Sequence, residues 1–225
     1  IILQSNLLLE TTKKKNVNNS DKYVWDTSAQ ADATLINLIN KEFERVGILK
    51  DASAYLERKV KVRKSTVILS TPEDSQFKLF LGDIENYNEK YINYHIDPKG
   101  GILKAMVYLN EVDINSGPFQ VVKKSHNFIF DPIKLLFARA ICTSNYCDSP
   151  ENRILINSLP KGLRSSLNFG RMLNDNSSLT SLIDSDLVTI TSDKANTVLF
   201  IPDKVIHRGA ICKSKSRLAL QVQIF

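Results

Sequence analysis

His95 and Asp97 stand two residues apart in Asn93-Tyr94-His95-Ile96-Asp97-Pro98, and His207 lies far downstream in Val205-Ile206-His207-Arg208-Gly209. Two imidazoles and one carboxylate are the ligands of a non-haem Fe(II) facial triad, which leaves neighbouring coordination positions open for a co-substrate and oxygen. The chemistry this set could do is that of an oxygenase. Taken alone, a His-x-Asp pair is also what a surface hydrogen-bonded pair looks like, so the surrounding pattern has to decide between the two.

A strand would position these groups. Alternate residues of a strand share a face, so His95 and Asp97 can reach one ion while Ile96 packs the other way, and the same parity puts Tyr91 and Asn93 on the ligand side. The apolar run Thr197-Val198-Leu199-Phe200-Ile201, interrupted by Pro202, reads as a strand that supports His207. In the last segment Arg217, Ala219, Gln221 and Gln223 share one face and Leu218, Leu220, Val222 and Ile224 the other. A guanidinium on the inner face of a strand is costly to desolvate unless an anion meets it. Its planar fork suits a carboxylate, and a dicarboxylate co-substrate that chelates Fe(II) through its oxo-acid end would offer one. The bland alternative for Arg217 is a surface ion pair worth little.

With those residues in view, the chain resembles the phytanoyl-CoA dioxygenase-like family of Fe(II)/2-oxoglutarate-dependent oxygenases. The matches are His95-Ile96-Asp97, the stretch from Leu109 through Ser116-Gly117-Pro118 to Val122 with Ser125-His126 after it, and His207 to Arg217. They span roughly the C-terminal two-thirds of the chain. The resemblance implies a mainly β protein with flanking helices, a double-stranded β-helix or cupin-like jelly roll, with the metal inside the barrel mouth. It implies Fe(II), 2-oxoglutarate and O2 as cofactor and co-substrates. His95, Asp97 and His207 would be the iron ligands and Arg217 the partner of the distal 2-oxoglutarate carboxylate. The implied reaction hydroxylates a C–H bond of a small metabolite and releases succinate and CO2. The carboxylate at Asp97 points to hydroxylation or desaturation, because related halogenases lack it. The chain departs from the family pattern at Ala195-Asn196, where a Gly-Asp turn is common, and at Lys123-Lys124, where Pro-Gly is common. Neither change touches a ligand, and both alter turns.

Lys104, Met106 and Tyr108 share a strand face just after the first ligands, and with Gln221 they are expected to line the pocket. Leu103, Ala105, Val107 and Leu109 on the other face are expected to pack the core between layers. An amphipathic helix is expected over about 28–46, with Leu35, Leu38, Ile39, Phe43 and Val46 at helical spacing and Gly47 ending it, packed on the outside of the barrel. Residues 11–20 read as a loop or lead-in. Lys59 to Arg63 reads as a strand with one basic face, followed by Val67-Ile68-Leu69, and Phe77 to Leu81 as another; Gly100-Gly101 turns the chain into a strand from Ile102 to Leu109, and Phe119 to Val122 follows. Asp131-Pro132 looks like a helix start. The polar stretch 127–186 between ligand strands is a candidate lid, with a plain solvated loop as the alternative. His126, beside two lysines, reads as structural or capping.

At 225 residues one domain over 1–225 suffices, with 1–55 as an N-terminal lead-in and helix. No apolar run approaches the ~20 residues of a membrane helix, and the opening segment does not resemble a secretory signal. Cys142, Cys147 and Cys212 cannot all pair within one chain and form no CxxC, so reduced thiols and a cytoplasmic location are the simplest account. The net charge of +6 fits a solvated basic face; steering of an anionic small molecule to a cleft is the sharper reading. Nucleic acid is disfavoured, since aromatics are not interleaved with the basic residues. Oligomeric state and substrate identity stay open. Two other classes compete with the oxygenase: a cupin-like metalloenzyme that does not use 2-oxoglutarate, which would not need Arg217 facing inward, and a non-catalytic small-molecule-binding jelly roll.

Overall fold

The computed structural model describes residues 1–16, 27–72, 94, 96–97, 101–127, 177–194 and 196–225. In chain order these form α1 (Ile2–Asn16), β1 (Thr27–Gln30), α2 (Ala33–Arg45), α3 (Ile48–Tyr55), β2 (Val62–Ser70), β3 (Leu103–Tyr108), β4 (Phe119–Val122), a 3-10 turn (Ser125–Asn127), α4 (Ser177–Asp186), β5 (Leu187–Ile190), β6 (Thr197–Phe200), β7 (His207–Gly209) and β8 (Arg217–Ile224). The strands make a larger sheet of order β1-β2-β8-β3-β6 and a smaller one of order β5-β4-β7, with every ladder between them antiparallel. Helices cover the outside of the larger sheet. The fold is mainly β with flanking helices, a double-stranded β-helix, or jelly roll.

The alternation in β8 decides the layering. Leu220, Val222 and Ile224 join Leu103, Ala105 and Leu109 of the neighbouring segment and Leu35, Ile39 and Phe43 of α2 in one apolar cluster outside the sheet. Burying such side chains contributes about 1.5–3 kcal/mol each. The Leu103/Ala105/Leu109 face packs the core between layers, as expected, and the layers it joins are the sheet and the helices. The opposite face sends Met106, Tyr108, Phe200 and Ala219 against Val112 and Phe119, and this second cluster fills the space between the sheets.

α2 starts at Ala33 because Asp32 caps it, accepting from the Leu35 amide at 2.8 Å, a contact worth about 0.5–2 kcal/mol. The stretch before the cap, read from sequence as helix, is instead β1, paired with β2 in the register Ala29↔Val67. Leu38 is 39% exposed; it lies about 100° round the helix from Ile39 and off the buried line of Leu35, Ile39 and Phe43. The chain leaves α2 through Gly47, whose φ of 84° suits only glycine without strain.

α1 corrects the expectation of a loop or lead-in for residues 11–16, since the helix runs to Asn16, while residues 17–20 lie outside the described residues. Its apolar residues show no helical period: Leu3 is 85% exposed while Ser5 and Leu9 are buried, so no stripe marks it. β2 begins at Val62, so Lys59–Lys61 of the expected first strand precede it, and it runs with a bulge at Val62/Lys64 straight into the expected second strand; Lys59, Lys61 and Arg63 are exposed and Val60 and Val62 buried, as the alternation predicts. Gly101, at φ 74°, makes the turn into β3. The expected strand Phe77 to Leu81, the helix start at Asp131-Pro132, Tyr91, Asn93 and His95 lie outside the described residues. Of the stretch 127–186, α4 is described; Ile183 on it is buried with Tyr94, Val122 and Ile206. Among the described residues no helix is long and apolar enough to cross a membrane.

Candidate functional site

The space between the sheets holds Asp97, Lys104, Tyr108, His207 and Arg217 among the described residues. Asp97 is fixed at its backbone, where its amide donates to the Pro202 carbonyl at 2.7 Å, which brings the first motif against the segment leading to His207. His207 opens β7 with its ring buried between Phe200 and Phe119, centroids 4.8 and 5.8 Å away. Its Nδ1 lies 2.8 Å from the Val205 carbonyl. A carbonyl can only accept, so Nδ1 carries the proton in the neutral ring and Nε2 presents its lone pair. That Nε2 points at Asp97, 3.8 Å from Oδ1.

A neutral imidazole nitrogen and a carboxylate oxygen at this separation can both bind one divalent cation about 2.0–2.2 Å from each, and a carbonyl on the far nitrogen is the usual support for a ligating histidine. The pair fits a transition metal. With His95 outside the described residues, no group of three such side chains is assembled among those described; the structure brings Asp97 and His207 together.

Lys104 takes the other oxygen of Asp97. Its ammonium forms an ion pair with Oδ2, both side chains being largely buried. Lys104 is thus adjacent to the candidate metal position, and Oδ1 is the oxygen left facing His207. Sequence parity places Lys104 on this face but gives no hint that its partner is Asp97.

Arg217 is 7% exposed. Its guanidinium donates to the Gly117 carbonyl and, at 3.0 Å, to the Ser70 hydroxyl, while Nε is buried with no hydrogen-bond partner. No described carboxylate pairs with it. A buried guanidinium met by two neutral acceptors, with one donor orphaned, is under-compensated and suited to receive an anion. One glycine makes room for it and a second lets its carbonyl partner pack closely. A Cβ on Gly209 would come within 3.0 Å of Arg217 Nη2 and 3.2 Å of Nη1. Gly117, at φ 66°, lies so close that a Cβ would meet the Ala210 carbonyl oxygen at 2.5 Å and Cys212 Sγ at 2.8 Å. The Ser116-Gly117-Pro118 stretch is therefore a close backbone approach that aims a carbonyl at Arg217. Ser70 and Gly209 carry no signal in sequence, because their relevance comes from strands paired across the fold.

Tyr108 faces the same interior and ties the two sheets, its hydroxyl donating to the Ile190 carbonyl at 2.8 Å and accepting from the Phe119 amide at 2.7 Å. Burial raises its pKa above the ordinary phenol value, against the opposing effects of the Phe119 amide and Arg217. Met106 packs with Phe119, Phe200 and Ala219. Gln221 is half-buried beside Met106 in the β3–β8 register. His126 is exposed in its 3-10 turn, and it is the neighbouring Ser125 that is buried, its hydroxyl accepting from the Ile206 amide at 2.9 Å.

Solved structures similar to this chain include AviO1 from Streptomyces viridochromogenes, at 12% identity and a TM-score of 0.50, covering 99% of this chain and 83% of that one. Also similar are the epimerase SnoN in complex with Fe3+, alpha ketoglutarate and nogalamycin RO, at 14% identity and a TM-score of 0.44 over 99% of this chain and 74% of that one, and EctD from S. alaskensis with bound Fe, at 13% and 0.46 over 98% and 68%. The likeness to AviO1 is one of fold. No protein-family model matches the chain, and no curated protein matches it in sequence.

Proposed function

We propose that this chain is a non-haem Fe(II)- and 2-oxoglutarate-dependent oxygenase that hydroxylates a C–H bond of a small, anionic molecule. His95, Asp97 and His207 would hold the iron, and Arg217 would hold the distal carboxylate of 2-oxoglutarate. The observation that carries this reading is the pairing, in one interior, of the His207 Nε2 lone pair facing Asp97 Oδ1 at 3.8 Å with a buried arginine whose Nε is orphaned. His207 and Gly209 are two strand residues apart, about 6–7 Å, and the Arg217 guanidinium sits against Gly209. A cupin-like metalloenzyme without 2-oxoglutarate would leave Arg217 unexplained.

When bound, iron would activate O2 as 2-oxoglutarate is converted to succinate and CO2. The chain's own groups prepare for this. The Val205 carbonyl fixes the tautomer of His207, and Lys104 turns Asp97 so that Oδ1 faces inward. Phe119, Phe200 and Met106 pack closely beside His207, keeping water from the reacting side. Arg217 orients the dicarboxylate without entering the chemistry, a positioning role with large effects on rate. We assign residues 1–225 to one domain built around this site.

The test is uncoupled turnover: protein reconstituted anaerobically with Fe(II), mixed with 2-oxoglutarate and then given O2, should release succinate, and His207→Ala should release none while staying folded. Wild-type protein that binds iron but produces no succinate would exclude the 2-oxoglutarate reading and favour the cupin-like alternative.

A further inference from the structure

Arg208 is a buried cation that the proposed chemistry does not use. It follows His207 directly and faces the other side of β7, where it is 8% exposed. Its Nε donates to Gln120 Oε1 at 2.7 Å, and its guanidinium carbon lies 4.2 Å from the centroid of the Tyr94 ring. The Tyr94 hydroxyl donates to the same Gln120 oxygen at 3.0 Å. Gln120 is itself fixed, since its amide nitrogen donates to the Thr189 hydroxyl at 2.8 Å and its backbone pairs with β5 and β7. Tyr94 is fully buried, packed with Val122, Ile183 and Ile206.

Each arm of this network is adjacent to half of the candidate metal site. Tyr94 precedes the His95–Asp97 motif, Arg208 follows His207, and Gln120 lies on the strand between them in register with Arg208. Burying a guanidinium costs several kcal/mol, and apolar residues of similar volume are often as stable or more so. The geometry accounts for it here. A planar cation stacked on a ring and hydrogen-bonded at a defined edge allows one orientation, whereas an apolar contact would let the two segments slide. Ligating atoms tolerate little slack, since a site about 1 Å too loose loses its function.

Resting on the reading of Asp97 and His207 as metal ligands, we propose that Tyr94, Gln120 and Arg208 form a clamp on the back of the smaller sheet that sets the separation between those two ligands. They are positioning residues. None of them touches the metal.

The full chain titrated with Co2+ under anaerobic conditions tests this, read by affinity and by the visible absorption bands of the bound ion. Arg208→Met, which keeps the volume but not the fork, should weaken Co2+ binding about 10- to 100-fold, the range for lost outer-shell support, and shift the bands. Arg208→Lys should not restore them, because an ammonium cannot stack and bond in the same plane. Tyr94→Phe keeps the ring and should give a smaller loss of the same kind, which decides the matter should Arg208→Met fail to fold. Variants that melt earlier but bind Co2+ within about twofold of wild type with unchanged bands would reduce the network to ordinary packing and overturn the clamp. Wild-type protein whose Co2+ binding is indifferent to His207→Ala would instead remove the metal-site reading, and the clamp with it.

Discussion

Gly209→Ala is the sharpest probe of the anion-binding corner, because it changes Arg217 without removing it. The backbone at Gly209 is not in the left-handed region, so alanine is accepted locally and the effect comes from contact alone. The new methyl would stand 3.0 Å from Nη2, 3.2 Å from Nη1 and 3.6 Å from Cζ of Arg217, against an ordinary van der Waals approach of about 3.5–4.0 Å. The guanidinium cannot simply retreat, being held by the Gly117 carbonyl and the Ser70 hydroxyl. It must tilt by several tenths of an ångström, enough to misalign one bond of a bidentate pair. A hydrogen bond to a charged group contributes about 1.5–3 kcal/mol, so the expected loss of 2-oxoglutarate affinity is about tenfold to a hundredfold. Calorimetric titration of 2-oxoglutarate into Mn2+-loaded protein without O2 measures it, with Mn2+ affinity as the internal control that should hold. A folded Gly209→Ala protein that binds 2-oxoglutarate as wild type does would refute the placement of its carboxylate at Arg217.

Three further outcomes follow from the same contacts. Gly117→Ala combines a positive φ with overlap against the Ala210 carbonyl and Cys212 and should destabilise the protein by about 2–4 kcal/mol; a chemical-denaturation midpoint equal to wild type would show that the loop yields freely. Lys104→Met leaves the buried Asp97 carboxylate without its ammonium, so the metal-free protein should lose about 2 kcal/mol or more and gain more in Tm from added Mn2+ than wild type does; equal melting of the two metal-free proteins would contradict this. The Asp113 carboxyl is held at about 2 by its hydrogen bonds from Lys215 first and Ser116 next. Its folded pKa lies below the unfolded one, so its contribution is complete above roughly pH 4 and disappears as pH falls through about 2. The stability difference between wild type and Asp113→Asn, followed by urea unfolding, should close over that window and shrink with salt; a difference constant down to the lower end would dissociate Asp113 from the loop's stability.

Much of the fold was legible where one face of an element is buried. The period of Arg217–Ile224 fixed which side of β8 faces inward, and Leu35, Ile39 and Phe43 marked the helix that covers it. β1 and α1 were missed for opposite reasons. Thr27–Gln30 has no apolar pattern of its own and is a strand because β2 pairs with it. α1 has apolar residues in abundance without a stripe, and its buried Ser5 and Leu9 are decided by the sheet edge it packs on. The alternation of burial at Lys59–Arg63 was real, but the strand starts only at Val62, where pairing with β8 begins.

The sequence by itself determined the kinds of chemical group available and the face each would take, because side-chain parity is a local property of extended backbone. That put Lys104 and Arg217 on inward faces; Asp97, expected on a strand, lies in a segment without strand structure at Tyr94, Ile96 and Asp97, and its amide on the Pro202 carbonyl brings it to His207. Only the tertiary structure decided the partners: Lys104 on Asp97 Oδ2, the Val205 carbonyl on His207 Nδ1, Ser70 and Gly117 on Arg217, and the Tyr94–Gln120–Arg208 network behind the smaller sheet. Each of these depends on which strands are neighbours and in what register. Those are non-local choices set by the packing of the whole core, and no window of sequence contains them.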